Sequence, residues 1–280
     1  MQKTRLRNYR TFLKNVKTKI RRKGLISFIF SDLIISFIQC KKFIIEKGLN
    51  YFLQSGILVI LNPHMFLIWL KDEYAFWTWF YTNYKTKRTF KFNGKKYRYF
   101  FHRNWVTWNN ERSVEVPIAL EIVKKYKGKD FLEVGNVLMN FYDYDRDIVD
   151  KYEIAPGVLN EDIVDYNPGK KYDIIIAIST LEHVGWDERP KEPQKILKAL
   201  DNLKKLLKKN GKIIITIPIG WNSYLDNLIK EDKIPFTKIF FLKRVSKNNR
   251  WKEVTREKIR NVIYPYPIRS AYGVVIGIIK

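Results

Sequence analysis

Residues 172–185 read YDIIIAISTLEHVG, and this stretch decides the fold. From Tyr172 to Ser179 the run is almost continuously apolar and β-branched. That is the composition of a strand covered on both faces. The residues after it, up to Gly185, turn polar or small and form a loop at the strand's carboxyl end. Outward from this run the same grammar repeats. Residues 130–134 (DFLEV), 147–150 (DIVD), 212–217 (KIIITI), 240–245 and 272–279 (YGVVIGII) are further short strands. Residues 193–209 form an amphipathic helix with Ile196, Leu197, Leu200, Leu203, Leu206 and Leu207 on one face. Asn210-Gly211 reads as its stop. Strands alternating with helices give an open, mostly parallel α/β sheet, which binds ligands at the carboxyl ends of its strands.

Upstream, residues 89–101 (TFKFNGKKYRYFF) place two alternating runs around Asn93-Gly94, a pair suited to a tight hairpin turn. The hairpin opens a domain over residues 89–280. Residues 1–88 form a helical, basic and apolar extension. Residues 1–24 hold ten Lys or Arg and no acid. Residues 25–40 are apolar but carry Asp32 and fall short of the roughly 20 residues a spanning helix needs. Residues 51–70 are long enough, yet Pro63 breaks or kinks them. Residues 74–84 (YAFWTWFYTNY) are dense in aromatics, which favour a membrane–water interface. Three readings fit residues 1–84. One is a module on an anionic membrane surface, gaining about 1 kcal/mol per basic residue. Another is a cap of helices packed on the domain. The third is a segment that spans the membrane, which the short first stretch and Pro63 set back.

With 46% hydrophobic residues the chain has material for a core, which excludes global disorder. A net charge of +25 favours anionic partners, although a composition rich in Lys, Ile, Asn and Tyr also leaves many lysines merely solvated. Cys40 is the one cysteine, and the histidines lie apart at 64, 102 and 183. No internal disulfide and no zinc cluster follow from that set, and no metal is expected. The low cysteine count fits a reducing, cytoplasmic setting, peripheral to the inner face of a membrane.

The acids and glycines sit where the strands end. Glu133 ends the first strand of the set and Gly135 permits close backbone approach there. Asp150 closes the second, where a carboxylate takes paired hydroxyls of a ligand. Asp162, beside Glu161, follows Gly157 at the tip of a third. Ser179, Glu182 and His183 end the fourth. Trp221 and Asn222 follow the fifth.

The ordered set LEVG (132–135), IVD (148–150), NEDIVDY (160–166), YDIIIAISTLEHVG (172–185) and LLKKNGKIIITIP (206–218) resembles the class I S-adenosylmethionine-dependent methyltransferases. More narrowly, ERSVEVPI (111–118), LEVGNVL (132–138), STLEHVGWDE (179–188) and IPIGWN (217–222) are similar to a prokaryotic branch often associated with surface-glycan genes. The resemblance covers roughly residues 105–280. It implies a Rossmann-like seven-stranded sheet with the last strand antiparallel, and S-adenosylmethionine as methyl donor. Glu133 and Gly135 would hold the methionine end, Asp150 the ribose, Asp162 the adenine region, and Ser179 to His183 the floor. One departure stands out: the usual E-x-G-x-G-x-G loop is here Glu133-Val134-Gly135-Asn136-Val137-Leu138-Met139, so Asn136 would supply a polar contact in place of glycine. The single glycine also argues against nicotinamide dinucleotides.

His183, with Glu182 beside it, has the chemistry of a general base for O-methylation, or serves as a structural histidine. Glu115, Trp186, Trp221 and Asn222 are expected to line the acceptor pocket. The expected reaction is methyl transfer to an oxygen of a glycan or lipid-linked sugar. A catalytically inactive membrane adaptor is the alternative. Nucleic-acid methylation is a third reading, set back because residues 179–182 read STLE where an Asn/Asp-Pro-Pro-Tyr run would stand, so no specific nucleic acid is expected as partner.

Overall fold

The computed structural model describes residues 79–80, 87–102, 107–142, 144–265 and 270–280. The basic run, both apolar stretches and most of the aromatic segment of the extension lie outside the described residues. Among the described residues, no helix is long and apolar enough to cross a membrane.

The domain is an α/β, Rossmann-like fold built on one sheet. Its strands are β3 (Phe131–Val134), β4 (Asp147–Val149), β5 (Val158–Leu159), β6 (Tyr172–Ile178), β7 (Leu207–Pro218), β8 (Lys238–Arg244), β9 (Trp251–Val254) and β10 (Gly273–Ile279). They lie in the order β5-β4-β3-β6-β7-β10-β8-β9. The five from β5 to β7 are parallel, and the last strand, β10, is antiparallel to both β7 and β8. The antiparallel last strand is as expected. The number is not: the sheet has eight strands rather than seven, because β9 adds to the edge at β8.

The extra edge has a physical cause. The hairpin of β1 (Thr89–Phe92) and β2 (Lys95–Arg98) packs over β9, with Trp251, Phe90, Phe92 and Tyr99 in one cluster. The Trp251 N–H donates to the Tyr99 hydroxyl at 2.9 Å, and the Asn93 N–H donates to Glu253 at 2.8 Å. An edge covered in this way is not left open for stray pairing. The hairpin turn forms as expected, with φ of 46° at Asn93 and 75° at Gly94.

Alternate residues of the central strands point to opposite faces, and both faces are covered. Ile175, Ala177, Ile213 and Ile215 meet helix α2 (Lys195–Lys205) through Ile196, Ala199, Leu200 and Leu203. Ile174, Ile176 and Ile214 share the other core with Val116, Ala119 and Val123 of α1 (Arg112–Lys125). Helix α1 contains Pro117, which cannot donate to the Ser113 carbonyl. The Phe100 N–H takes that carbonyl at 2.9 Å, so the break in the helix ladder ties the end of the hairpin segment to the helix.

Two expectations change. Helix α2 ends at Lys205, and Asn210-Gly211 lies inside β7 rather than stopping a helix. Tyr172 pairs with Leu207 while Ile174 pairs with Lys212, so the extra residues form a bulge. A Cβ on Gly211 would stand 2.9 Å from the Tyr172 carbonyl oxygen, so the bulge favours glycine. Leu197, assigned to the apolar face of α2, is 37% exposed, whereas Leu203 is fully buried.

Leu203→Ala is therefore expected to cost about 3 kcal/mol, and Leu197→Ala less than about 0.5 kcal/mol. Denaturant unfolding midpoints of the two variants check this, and equal losses would refute the assignment of faces.

Candidate functional site

A cleft of about 450 Å³ opens at the carboxyl ends of β3, β4, β5 and β6. That volume lies in the range of small-molecule sites, roughly 300–1,000 Å³. Its first wall is the loop after β3. Gly135 has φ of 81°, and a Cβ there would come within 2.2 Å of Thr180 Oγ1. Glycine is thus obligatory at this one place, where the β3 and β6 loops close on each other.

Beyond it the chain does not use glycine. Val137 and Leu138 are buried, and both turn their N–H groups onto Glu133 Oε1, Val137 at 2.9 Å. Glu133 Oε2 accepts from Arg146 Nε at 2.6 Å. Burial pushes the Glu133 carboxyl up, against the opposing pull of Arg146 and the loop amides. Glu133, expected at the ligand's methionine end, therefore lies under the loop and not in the cleft wall. Its oxygens are already engaged, so it holds the loop that faces the ligand. Asn136, 5% exposed, does line the cleft. Its Nδ2 donates to Glu153 at 2.6 Å, while its Oδ1 is buried without a hydrogen-bond partner.

Asp150 stands at the end of β4 and lines the cleft as expected. Its Oδ1 accepts from the N–H groups of Tyr152 and Glu153 at 2.9 and 2.8 Å. Its Oδ2 has no partner among the described residues. Asp162 also lines the cleft, but in a four-membered charge network. Lys195 reaches it at 2.6 Å and Lys151 at 2.9 Å, and both lysines also reach Glu188. Burial alone would raise the Asp162 carboxyl, yet the two lysines hold it down at about 2.

On the floor, Ser179 adopts φ of 39° and donates to Glu115 Oε1 at 2.6 Å. Glu115 is fully buried and also takes Arg112 at 2.8 Å, so it stands behind the cleft wall rather than facing an acceptor. His183 lines the cleft. Its Nδ1 lies 2.5 Å from Asp187 Oδ2, and its Nε2 lies 3.5 Å from Glu182 Oε1. Glu182 is 1% exposed, and burial drives its carboxyl well above the ordinary range.

The residues expected at the acceptor are outside the cleft lining. Trp221 packs edge-on against His183, which does line it, at 5.4 Å and against Tyr264 at 5.0 Å. Trp186 sits under the Lys191 ammonium at 3.5 Å. Asn222 is buried as the N-cap of α3 (Ser223–Lys230): its Oδ1 accepts from Leu225 N–H, and its Nδ2 donates to the Glu182 carbonyl. It joins two elements rather than meeting an acceptor.

Sequence reasoning missed Arg112, Arg146, Lys151 and Lys195. Only Arg146, close after the loop on a chain stretch rich in aromatics, gave any local hint, and Lys195 was read merely as part of an amphipathic helix. Removing Arg146 would leave a buried carboxylate without its cation. Arg146→Met should cost about 3–5 kcal/mol, and adding Glu133→Gln should recover much of it. Chemical denaturation of both variants measures this. A loss under about 1 kcal/mol for the single change would show that the loop does not depend on the pair.

No family model matches the chain, and no curated protein does. Solved structures give distant likenesses. The N-methyltransferase NodS of Bradyrhizobium japonicum in complex with S-adenosyl-L-homocysteine is 12% identical, over 62% of this chain and 89% of that one, with a TM-score of 0.40. A possible histamine N-methyltransferase from Thermotoga maritima is 18% identical over 57% of this chain and 87% of that one, at 0.34. An S-adenosylmethionine-dependent methyltransferase from Clostridium acetobutylicum is 12% identical over 57% and 88%, at 0.31.

Proposed function

We propose that the chain transfers a methyl group from S-adenosylmethionine to an oxygen of a glycan or lipid-linked sugar, working beside the inner face of a membrane. The observation that carries this reading is the cleft at the strand ends, where Gly135, Asp150 and Asp162 stand in the order of three neighbouring loops. An amino acid joined to a nucleoside matches that row. The backbone at Gly135 and Asn136 borders its amino-acid end, Asp150 accepts from its ribose hydroxyls, and Asp162 with Lys151 borders the purine. Glu133 supports the same contacts from below by fixing the loop.

When bound, the donor supplies an electrophilic methyl on a sulfonium. The chain's own part is alignment, the larger share of the rate in such transfers, and removal of a proton. Asp187 orients His183 through Nδ1. Nε2 would then take the proton of the acceptor's hydroxyl as that oxygen takes the methyl from the donor's sulfur. The products are a methyl ether and S-adenosylhomocysteine. The membrane part of the proposal rests on residues 1–84, whose basic run adjoins apolar and aromatic segments.

Calorimetry with S-adenosylhomocysteine should give saturable binding, and Asp150→Ala should weaken it roughly 10- to 100-fold, the loss of paired hydrogen bonds. Absence of binding at high-micromolar ligand would favour a methyltransferase-fold adaptor. The full-length protein should pellet with phosphatidylserine vesicles while residues 85–280 stay in the supernatant. Equal recovery of both in the supernatant would remove the membrane part and leave the donor reading untouched.

A further inference from the structure

A second cavity, of about 220 Å³, shares no lining residue with the cleft. Its floor is apolar: Ile219 after β7, Ile229 of α3, Phe241 of β8, Val275 of β10, and Ile259 of a short helix over Arg256–Ile259. All five side chains are buried. Val275 pairs with both Ile217 and Phe241, which sets the cavity near the carboxyl end of β7, at the same edge of the sheet as the cleft. An apolar cavity of about 150 Å³ takes a benzene ring, so this volume suits a short apolar chain.

Charged side chains surround that floor. Arg256 is committed: its Nη2 donates to Asp232 at 2.6 Å, and its guanidinium lies 5.6 Å from the centre of the Phe241 ring. Asp226 is 7% exposed and its Oδ2 accepts from the Gly220 N–H at 2.9 Å. Glu257 is engaged by the Thr255 hydroxyl. Lys230 and Arg260 differ from these. Both line the cavity, both are exposed, and neither has an ion-pair partner among the described residues. An apolar floor beside two open cations matches an apolar chain that ends in an anion. A bare anion would leave the floor unused, and a bare chain would leave the cations unused.

The cavity and the cleft adjoin. Gly220, held by Asp226, is followed by Trp221, whose ring meets His183 of the cleft. In the order β6-β7-β10-β8, the cavity strands β10 and β8 stand two and three places from β6. At about 4.8 Å per place, that is roughly 10–15 Å. A molecule anchored in the cavity has its next group beside Trp221, facing the way to His183.

We infer that this cavity holds the junction between a lipid chain and its phosphate, with the chain on the apolar floor and the phosphate on Lys230 and Arg260, so that the acceptor is the lipid-linked sugar and not a free glycan. The ligand class follows from the lining itself, and its identification as the acceptor's anchor rests on the methyltransferase reading.

Calorimetry on the full-length protein compares octyl phosphate, kept below its micelle concentration, with 1-octanol, inorganic phosphate and the soluble two-chain lipid dihexanoyl phosphatidylserine. Octyl phosphate should bind one molecule per chain, at least about ten-fold more tightly than each of the others. Reversing both exposed charges, Lys230→Glu with Arg260→Glu, should reduce it to the level of octanol. Saturating S-adenosylhomocysteine should leave its binding in place. No binding of octyl phosphate, equal binding of octanol or of phosphate, a preference that survives the double reversal, or displacement by S-adenosylhomocysteine would overturn the inference. Tighter binding of the two-chain lipid would assign the cavity to membrane lipid and overturn the acceptor's anchor. Failure of S-adenosylhomocysteine itself to bind would defeat the donor reading and leave the result on the cavity standing.

Discussion

The cleft depends on one buried ion pair. Glu133 and Arg146 have side chains 1% and 2% exposed and meet at 2.6 Å. A buried pair of this kind seldom adds much net stability, because desolvation offsets attraction. Its effect is on shape. With Arg146 on one oxygen and two backbone N–H groups on the other, Glu133 has a single arrangement open to it, and so does the loop from Gly135 to Leu138. That loop sets Asn136 toward the cleft and lets Gly135 pass within contact of Thr180. A glycine-rich loop reaches such closeness by lacking side chains. Here the same closeness is reached by burying two apolar side chains and turning their amides onto a charge.

The strands were legible because they are covered twice. In β6 and β7 both faces need apolar residues, so the isoleucine runs mark them without ambiguity. Strand β9 left no such mark: Trp251 is its one fully buried residue, and its partner hairpin is distant in sequence. Helix α1 was hidden for a different reason. Its buried face includes Ser113 and Glu115 and its interior holds Pro117, so neither apolar periodicity nor composition signals a helix. The first turn of that face is polar where it backs the floor of the cleft. Asn210-Gly211 shows the limit of turn chemistry: the dipeptide tolerates a turn, and the strand pairing converted it into a bulge.

Of the site, positions were legible and orientations were not. Gly135, Asn136, Asp150, Asp162, Ser179 and His183 line the cleft because a parallel sheet delivers whatever follows its strands to one edge. Glu133 precedes its loop instead of following it, and so points beneath. Asn222 and Glu115 have the right chemistry and the right neighbourhood, but a helix cap and a buried hydroxyl already engage them. The partners that decide these outcomes, Arg146 for Glu133 and Lys195 for Asp162, are 13 and 33 residues away in the chain. Only folding brings such pairs together.

Charge acts on two length scales in this protein. Its net +25 acts over about a Debye length, roughly 8 Å at physiological salt. Glu111, Glu115 and Glu182, behind the floor of the cleft, are shielded from that field by burial. The two need not compete. The long-range field of the surface lysines and arginines is weakened by salt. The buried glutamates act over one contact and are nearly indifferent to salt.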